Sequence, residues 1–376
     1  FRPTDALLPE LDTSSNQFHL MFRSGSKRVN PEQVLDAWSH GDKFVPLVDG
    51  GFAPIPHAWL TKCGHIVADL LEAKSLTGAL PRASLPDLGR LCDSLDLDPP
   101  ESVKDLQELV KDFSHIERAT LPEDLRAELR VYQRDAVDWL SFLRSQGFGA
   151  LLADDMGLGK TLQALTVVQG RTLVVAPTSV MQNWEKEARR FRPSLSISLF
   201  HGPNRQLDSE ADITVTTYAV LRIDQSLLQS VHWDMVVLDE AQTIKNSSSK
   251  VAQAAFELEA SFRLALTGTP VENRLEELWS QFHFLNPGLL GTKLGFQTRY
   301  AKPIERGDEK ISASLRKRLK PFVLRRMKRE VASELPPRTD IVLNVELSED
   351  ERGIYDALRL SARREVRQLL SKGGTT

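Results

Sequence analysis

A glycine-bearing loop at residues 154–161 carries the residue types best suited to chemistry in this chain. Its sequence, DDMGLGKT, follows an apolar run at 149–153 that is typical of a short buried strand, and a helical pattern begins at Leu162. Gly157 and Gly159 allow backbone N–H groups to turn toward an anion without a Cβ in the way. The N-terminal end of the following helix presents its positive dipole to the same anion. The segment therefore predicts a strand, a phosphate-binding loop and a helix.

Two side chains of this loop fit a bound nucleotide. Lys160 can reach the β- and γ-phosphates, and Thr161 can place its hydroxyl on Mg²⁺. The loop departs from the general G-x-x-x-x-G-K-[ST] pattern at Asp154, which stands where the first glycine is expected. Taken alone, the segment is also compatible with a glycine-rich turn that only connects a strand to a helix.

An acidic pair at the end of a second apolar run favours the nucleotide interpretation. The run Met235–Leu238 ends in Asp239 and Glu240, and carboxylates at the end of a buried strand are costly unless a cation or a ligand uses them. Asp239 can hold Mg²⁺ through water, and Glu240 can orient and deprotonate an attacking water. The alternative is a helix N-terminus that is merely rich in acids.

The composition is that of a globular protein with ample core. At 376 residues, of which 41% are apolar and 26% charged, the chain is expected to form two or three domains. Its two cysteines predict neither a disulfide framework nor a zinc site, and a reducing cytoplasm fits them. The sequence shows no signal peptide and no apolar run of membrane-spanning length, so we expect no membrane partner. Because it begins with Phe1 and ends in KGGTT, we expect it to be part of a longer protein.

The distribution of charge says more than the net charge of −3. Residues 316–329 contain eight basic side chains and no acid: Arg316, Lys317, Arg318, Lys320, Arg325, Arg326, Lys328 and Arg329. Such a run is a solvated face in many proteins, and it is equally suited to a nucleic-acid phosphate backbone.

The first part of the chain predicts a small α+β domain over residues 1–115. A strand is expected at 18–22, followed by a helix that Asn30 caps and a hairpin around the Asp-Gly-Gly sequence at 49–51. Further amphipathic helices follow, and no motif with recognisable chemistry lies in this domain.

From residue 116 onward, apolar runs alternate with helical patterns, which predicts an α/β fold with a parallel sheet and helices on both faces. The expected strands are Leu151–Ala153, Leu173–Ala176, Ile213–Thr216, Met235–Leu238 and Leu264–Thr267. The polar motifs fall at the C-terminal ends of these strands, where ligands bind in such sheets.

The rest of the chain completes this domain, which we expect to span residues 116–347. It contains a basic helical insertion at about 275–330, followed by a strand at 340–347. Ser348 is then expected to cap a last helix within 348–376, because a glutamate three residues later completes a capping box.

Seven segments, in this order, resemble the first half of a SWI/SNF-type ATPase, a helicase-like motor of superfamily two that translocates on double-stranded DNA. They are LRVYQRDAVDWL, DDMGLGKT, VVAPTSVMQNWEKEARRF, VTTYAVLR, LDEAQTIKN, LALTGTPVENRLEELWS and FVLRRMKRE. The resemblance covers about residues 115–376 and implies a RecA-like lobe. The DEAQ sequence is similar to the bacterial branch, whose accessory domain the N-terminal residues resemble more loosely. Val131 replaces the family's usual proline, and Asp155 its usual glutamate.

The resemblance implies a site for ATP and Mg²⁺. Gln133 is expected to bond the adenine edge, because an amide offers a donor and an acceptor together; a surface glutamine is the alternative. Asp155 is expected to order the loop or the Mg²⁺ shell. The residues expected to contact the nucleotide are Gln133, Asp155, Gly157, Leu158, Gly159, Lys160, Thr161 and Leu162. Lys160, Asp239 and Glu240 are the expected catalytic residues, and Thr161 and Asp239 are the expected Mg²⁺ ligands.

The resemblance also implies a DNA surface. The residues expected to contact DNA are Pro177, Thr178, Ser179, Thr216, Thr217, Tyr218, Arg325 and Arg326. The first six lie where strands end and helices begin, so their hydroxyls and free N–H groups suit a phosphate. Ser179 could instead be a helix cap, and the two arginines could serve the lobe–lobe interface or the ATP site. Thr267, Gly268 and Thr269 are expected to couple nucleotide state to DNA grip, whereas Trp184 and Trp279 are expected in the core.

The implied protein is a DNA-dependent ATP hydrolase and DNA translocase of the bacterial cytoplasm, associated with the nucleoid. Its expected partners are double-stranded DNA, a second RecA-like lobe of the same protein and, through residues 1–115, another protein. In the family the second lobe supplies an arginine to the ATP site, so residues 1–376 alone are expected to be nearly inactive. Two alternatives stay open: a nucleotide-binding protein-interaction module and a strand-separating helicase.

Overall fold

The computed structural model describes residues 5–13, 18–48, 50–101, 103–104, 116–268, 275–331 and 346–372. The chain divides after Val331 into two compact units. The larger unit holds two hydrophobic cores, one formed within residues 7–103 and the other centred on a parallel sheet.

The N-terminal residues form the predicted small α+β arrangement. Three strands pair antiparallel in the order β1 (Leu8–Asp12), β2 (His19–Ser24) and β3 (Lys27–Val29), and the hairpin consists of β4 (Phe44–Pro46) and β5 (Phe52–Pro54). The helices are α1 (Pro31–Ser39), α2 (His57–Thr77) and α3 (Leu85–Ser94). Asn30 caps α1 as expected, since its side chain accepts a 3.0 Å hydrogen bond from the backbone N–H of Glu32.

The second core surrounds a parallel sheet whose strands are β6 (Ala150–Leu152), β7 (Thr172–Ala176), β8 (Ile197–Leu199), β9 (Ile213–Thr217), β10 (Trp233–Asp239), β11 (Ala260–Leu266) and β12 (Val323–Leu324). Their order across the sheet is β12-β6-β11-β10-β7-β9-β8. The central strands are continuous apolar runs because both of their faces are covered. The predicted RecA-like α/β fold is confirmed.

Two strands of this sheet were not predicted. β8 has only three half-buried residues at one edge, and β12 has two residues within the stretch that was expected to be helical throughout. The helical prediction was wrong at β12 because pairing with β6, Val323 beside Leu151 and Leu324 beside Leu152, overrides local propensity. This pairing brings the residues after Leu324 to the phosphate-binding loop.

Helices alternate with these strands along the chain. They are α4 (Val131–Ser145), α5 (Lys160–Thr166), α6 (Thr178–Phe191), α7 (Tyr218–Ile223), α8 (Gln225–Gln229) and α9 (Lys250–Phe256). Trp184 of α6 is only 1% exposed and Trp279 only 7%, which confirms both as core residues.

The helical insertion contains α10 (Leu275–Leu285), α11 (Lys293–Phe296), α12 (Lys302–Glu305), α13 (Glu309–Leu319) and α14 (Lys328–Val331). It meets the N-terminal helices through six polar side chains, here named the interdomain cluster: Asp69, Glu72 and Asp87 from α2 and α3, with Arg299, Tyr300 and Arg318 from the insertion. Asp69 is fully buried, and Arg299 Nε donates to its Oδ1 at 2.9 Å. Arg318 pairs with Asp69 and, at 2.6 Å, with Asp87.

The basic run 316–329 is therefore not one surface. Arg318 is buried in the interdomain cluster, and Arg326 points into the lobe, where it pairs with a buried carboxylate. The other basic side chains of the run are exposed: Arg316, Lys317, Lys320, Arg325, Lys328 and Arg329.

The second unit is described from residue 346 and consists of helix α15 (Glu349–Lys372). The predicted capping box is confirmed, since Ser348 N–H donates to Glu351 Oε2 at 3.0 Å and Glu351 N–H donates to Ser348 Oγ at 3.4 Å. Most of the strand predicted at 340–347 lies outside the described residues.

No helix in the described ranges combines the length and the apolarity that a membrane crossing requires.

Candidate functional site

The predicted phosphate loop connects β6 to α5. Gly157 and Gly159 both adopt left-handed backbone conformations, with φ of 83° and 81°. Residues that have a Cβ adopt such conformations only at a cost in free energy. α5 begins at Lys160, and Lys160 Nζ donates to the carbonyl oxygens of Asp154 at 2.7 Å and Asp155 at 3.4 Å. The ammonium group thus lies within the curve of the loop.

The acidic pair lies beside this ammonium, as the sequence predicts. Burial lowers the pKa of Lys160, while the charges of Glu240, Asp154 and Asp239 oppose that shift. β6 and β10 both flank β11, so the end of β10 and the loop after β6 meet at the same edge of the sheet. The tertiary structure therefore joins the two motifs into one site.

Asp239 is held in place by buried partners. Trp184 Nε1–H donates to its Oδ2 at 2.8 Å, and the Tyr218 hydroxyl donates to its backbone carbonyl at 2.7 Å. Burial raises the pKa of Asp239, against the effect of the Trp184 hydrogen bond. A cation beside this carboxylate would offset the cost of burying its charge.

Glu240 has a left-handed backbone with φ of 51°, which is uncommon outside glycine and marks local strain. Gln242 Nε2 donates to Glu240 Oε2 at 2.8 Å, and Thr267 Oγ1 donates to Gln242 Oε1 at 3.1 Å. A hydrogen-bonded chain thus joins the acidic pair to the predicted coupling segment. Gln242 belongs to the DEAQ sequence but received no role from sequence reasoning.

The coupling segment is close to the loop. A Cβ on Gly268 would lie 2.7 Å from Met156 Cγ and 3.7 Å from Lys160 Nζ, so the absence of a side chain permits this approach. Thr267 is buried, and Thr269 lies outside the described residues.

Gln133 lies against the phosphate loop and is buried, so it is not the surface glutamine of the alternative reading. Its Nε2 donates to the Leu158 carbonyl at 3.1 Å, and its Oε1 accepts from the Arg130 N–H at 3.1 Å. A Cβ on Gly159 would come within 2.5 Å of Gln133 Nε2. Leu158 and Leu162 are buried next to the loop, and Thr161 is half-buried in the first turn of α5.

The structure corrects the prediction that Arg326 contacts DNA. Its Nε donates to Asp154 Oδ1 at 3.0 Å, its Nη2 also pairs with Asp154 and donates to Gln163 Oε1, and its Nη1 donates to the Tyr132 carbonyl. These contacts use the guanidinium inside the lobe, next to the predicted ATP-site motifs. They also explain why an aspartate replaces the first glycine of the loop pattern, because Asp154 is the buried partner of Arg326.

The three residues at the end of β9 also point inward, contrary to the DNA-contact prediction. Thr216 is fully buried and donates to the Phe200 carbonyl at 2.8 Å, and Thr217 caps α7 by accepting from the Val220 N–H. Tyr218 is buried against Asp239, and burial, followed by the charges of Asp239 and Glu240, raises its pKa well above the ordinary value. Their polar atoms bond within the lobe, which leaves them no surface for a phosphate.

Four of the predicted DNA-contact residues remain at or near the surface. Thr178 and Ser179 are exposed in the first turn of α6, and Pro177 before them is half-buried. Pro177 occupies the cap position, so the alternative that Ser179 is the cap is wrong. Arg325 is exposed, beside the inward-pointing Arg326.

Comparisons with known proteins identify relatives of this chain. The family model of the SNF2-related domain matches residues 132–375. YwqA of Bacillus subtilis is 42% identical over 279 residues, which are 68% of this chain and 30% of that protein. An uncharacterised ATP-dependent helicase of Mycoplasma pneumoniae is 31% identical over 360 residues, 92% of this chain and 32% of the helicase.

Solved structures show the same likeness. The Sulfolobus solfataricus SWI2/SNF2 ATPase core in complex with dsDNA is 42% identical, with a TM-score of 0.56 over 58% of this chain and 49% of that one. The chain spans about a third of the two curated relatives and half of this core. Because the family model covers more than half of its residues, this chain belongs to the SNF2-related family.

Proposed function

We propose that this chain is the ATP-binding lobe of a DNA-dependent ATPase that translocates on double-stranded DNA or remodels protein–DNA complexes. The observation that carries the proposal is the convergence of Lys160 with Asp239 and Glu240 at one edge of the parallel sheet. A lysine-bearing anion loop beside an acidic strand end supplies the parts that phosphoryl transfer uses. Family membership supports the same activity.

In this proposal the loop binds the phosphates of ATP, and Gln133 lies near its adenine base. The N–H groups around Gly157 and Gly159 donate to the phosphate oxygens, and Lys160 exchanges its bonds with the loop carbonyls for bonds with the nucleotide. Gln133 keeps one amide hydrogen for the adenine edge while it holds the Leu158 carbonyl.

Thr161 and Asp239 would hold Mg²⁺. Mg²⁺ keeps several waters and binds through one or two carboxylates together with substrate phosphates, so Asp239 would be a sufficient carboxylate ligand. When bound, Mg²⁺ neutralises charge on the phosphate oxygens. Asp239 is oriented for this purpose by Trp184, which bonds one carboxylate oxygen.

Glu240 is the proposed base. Its carboxylate orients the attacking water and accepts a proton from it, and Gln242 fixes the carboxylate through a 2.8 Å hydrogen bond. Because Gln242 also bonds Thr267, a change in the position of the coupling segment would alter the orientation of the base.

The proposed DNA surface consists of Thr178, Ser179 and Arg325. The first two are exposed at the start of a 14-residue helix, whose free N–H groups suit a phosphate, and Arg325 is an exposed cation. The relative from Sulfolobus solfataricus was solved in complex with dsDNA, which supports a duplex as the partner. Contacts of this type carry no base specificity.

A second RecA-like lobe of the same protein would complete the ATP site. An arginine supplied from outside the nucleotide-binding lobe raises hydrolysis by roughly 10³–10⁵-fold in related nucleotidases. Within the described lobe Arg326 is engaged with Asp154, so it is not free for this task. We therefore expect slow turnover by residues 1–376 alone and fast, DNA-stimulated turnover by a longer chain.

Calorimetric titration with Mg·ATP tests the nucleotide site. Lys160→Ala removes a charge-assisted phosphate contact, so the free energy of ATP binding should become less favourable by about 2 kcal/mol. Lys310→Ala, at an exposed lysine of α13, is the matched control and should bind normally. Unchanged affinity of Lys160→Ala would contradict the assignment.

Duplex binding tests the DNA surface. Arg325→Glu should weaken binding to duplexes of unrelated sequence by the same factor. The logarithm of the association constant should fall linearly with the logarithm of the salt concentration. Lys43→Glu, at an exposed lysine of the N-terminal part, controls for net charge. Binding that is insensitive to salt or selective for one base sequence would contradict phosphate contacts. If duplex DNA does not change the rate of phosphate release by the longer chain, a protein-interaction module would be favoured instead.

A further inference from the structure

A second lysine lies over the phosphate loop. A Cβ on Gly157 would be 3.0 Å from Lys328 Nζ and 3.3 Å from its Cε, so the ammonium of Lys328 approaches the loop where a glycine leaves space. The Lys328 side chain is exposed, although its backbone N–H is bound to the loop through Asp155 Oδ2 at 2.9 Å. Lys328 is 168 positions after Lys160 in the chain, and sequence reasoning saw it only as part of a basic run.

This approach is fixed by a series of contacts between residues 323–328, here named the companion segment, and the loop. The segment starts as β12, which pairs with β6. The Ala153 N–H then donates to the Leu324 carbonyl at 2.7 Å, and the Asp155 N–H donates to the Arg326 carbonyl at 3.0 Å. Together with the Arg326–Asp154 pair, these bonds hold the backbone of the companion segment against the loop and so determine the position of Lys328.

The charges around the loop leave a role for another cation. Four carboxylates, those of Glu240, Asp154, Asp239 and Asp155, act on Lys160. Arg326 is already paired with Asp154, and in the described part of the chain Lys328 forms no ion pair. A polyanion entering this site therefore meets an excess of negative charge, and Lys328 is the accessible ammonium at the glycine side of the loop.

We propose that Lys328 is a second phosphate-binding lysine, whose ammonium contacts the β- and γ-phosphate oxygens of ATP beside Gly157. This inference rests on the proposed nucleotide site and adds a ligand from a distant part of the chain. The phosphate site is then built from two segments, the loop 154–161 and the companion segment. Because Lys328 opens α14, nucleotide binding also restrains the chain just before the division at Val331.

The experiment compares four variants of residues 1–376 by calorimetric titration with Mg·ATP and with AMP. Lys328→Ala should weaken ATP binding about tenfold, because one charge-assisted contact is lost, and should leave AMP binding unchanged. Lys328→Arg should keep affinity within about threefold, since the positive charge remains. Arg329→Ala removes an exposed neighbouring charge and should bind ATP normally.

Lys160→Ala separates this proposal from the one on which it rests. If Lys160→Ala loses ATP affinity and Lys328→Ala does not, the nucleotide site stands and the Lys328 proposal is wrong. If neither variant loses affinity, both proposals fail. Equal losses for ATP and AMP, or a lower unfolding temperature of Lys328→Ala, would assign Lys328 a structural role, and a loss confined to duplex binding would assign it to DNA.

Discussion

At the residue scale, the site depends on backbone conformations that ordinary side chains disfavour. Gly159 is left-handed and leaves no space for a Cβ, because Gln133 Nε2 would be only 2.5 Å away. Glu240 adopts a left-handed conformation without being glycine, immediately after the half-buried carboxylate of Asp239. Strain of this kind persists where surrounding hydrogen bonds hold it, and here Gln242 and Thr243 bond Glu240.

Two glycine substitutions separate the cost of a left-handed backbone from the cost of a steric contact. Gly159→Ala and Gly202→Ala both place a Cβ at a left-handed position, but Gly202 has nothing within 4 Å. Gly202→Ala should lower the free energy of unfolding by about 1 kcal/mol. Gly159→Ala should cost more and weaken ATP binding, because Gln133 must move. Urea unfolding and ATP titration measure both, and equal costs would contradict a close approach of Gln133.

Replacing the base should separate binding from hydrolysis. Glu240→Gln keeps the shape of the side chain but removes the proton acceptor, so phosphate release should fall by about 10²-fold or more while ATP affinity is retained. Phosphate release is measured on a longer chain with duplex DNA. A variant with near-normal turnover would show that another group accepts the proton.

At the element scale, β12 matters more than its two residues suggest. It adds an edge strand to the sheet and carries Arg326 to the buried carboxylate of Asp154 and Lys328 to Gly157. The side chains of the neighbouring arginines lie in different environments, because successive side chains of an extended segment point to opposite sides. Arg325 is exposed, and Arg326 is only 14% exposed at its side chain.

The two arginines therefore form a matched pair of substitutions. Arg326→Met leaves Asp154 buried without its partner and should lower the free energy of unfolding by about 3–5 kcal/mol. Arg325→Met should change it by less than about 0.5 kcal/mol. The double variant Asp154→Asn with Arg326→Met should recover part of the loss, since no uncompensated charge remains. Chemical denaturation of the three variants measures these differences, and a mild effect of Arg326→Met would contradict the buried pair.

At the scale of the larger unit, the interdomain cluster joins two hydrophobic cores. Burial disfavours the charge of Asp69, but Arg318, Arg299 and the Tyr300 hydroxyl outweigh that effect and hold the pKa of Asp69 below its ordinary value. The carboxylate is thus ionised and fully engaged at neutral pH. The N-terminal helices and the insertion share this network, so we expect their stabilities to be linked.

Asp69→Asn should destabilise the larger unit by about 3 kcal/mol at neutral pH, because Arg318 and Arg299 then lose the buried negative charge that they share. A carboxyl with a depressed pKa contributes stability above its unfolded value of 3.8 and loses that contribution as pH falls toward the folded value. The difference between Asp69→Asn and the parent should therefore shrink below pH 3.8. Urea midpoints across this range measure it; a gap that widens on acidification would contradict the assignment.

Local sequence determined the parts that depend on near neighbours. The loop at 154–161, the cap at Asn30, the capping box at Ser348 and the buried strands around β10 follow from glycine conformation, short-range hydrogen bonds and apolar runs. The α/β class with a parallel sheet followed from the alternation of strands and helices, since parallel strands need such crossovers, and the family resemblance implied its RecA-like type.

Only the tertiary structure decided which side chains face the site. Thr216, Thr217 and Tyr218 looked like a phosphate surface but are buried, and Arg326 resembled its neighbour until the pairing of β12 with β6 directed it to Asp154. Lys328 and Gly157 are far apart in the chain, and no local pattern encodes their approach. The physical reason is that strand register and burial, which depend on contacts between distant segments, determine whether a polar side chain meets solvent, ligand or a buried partner.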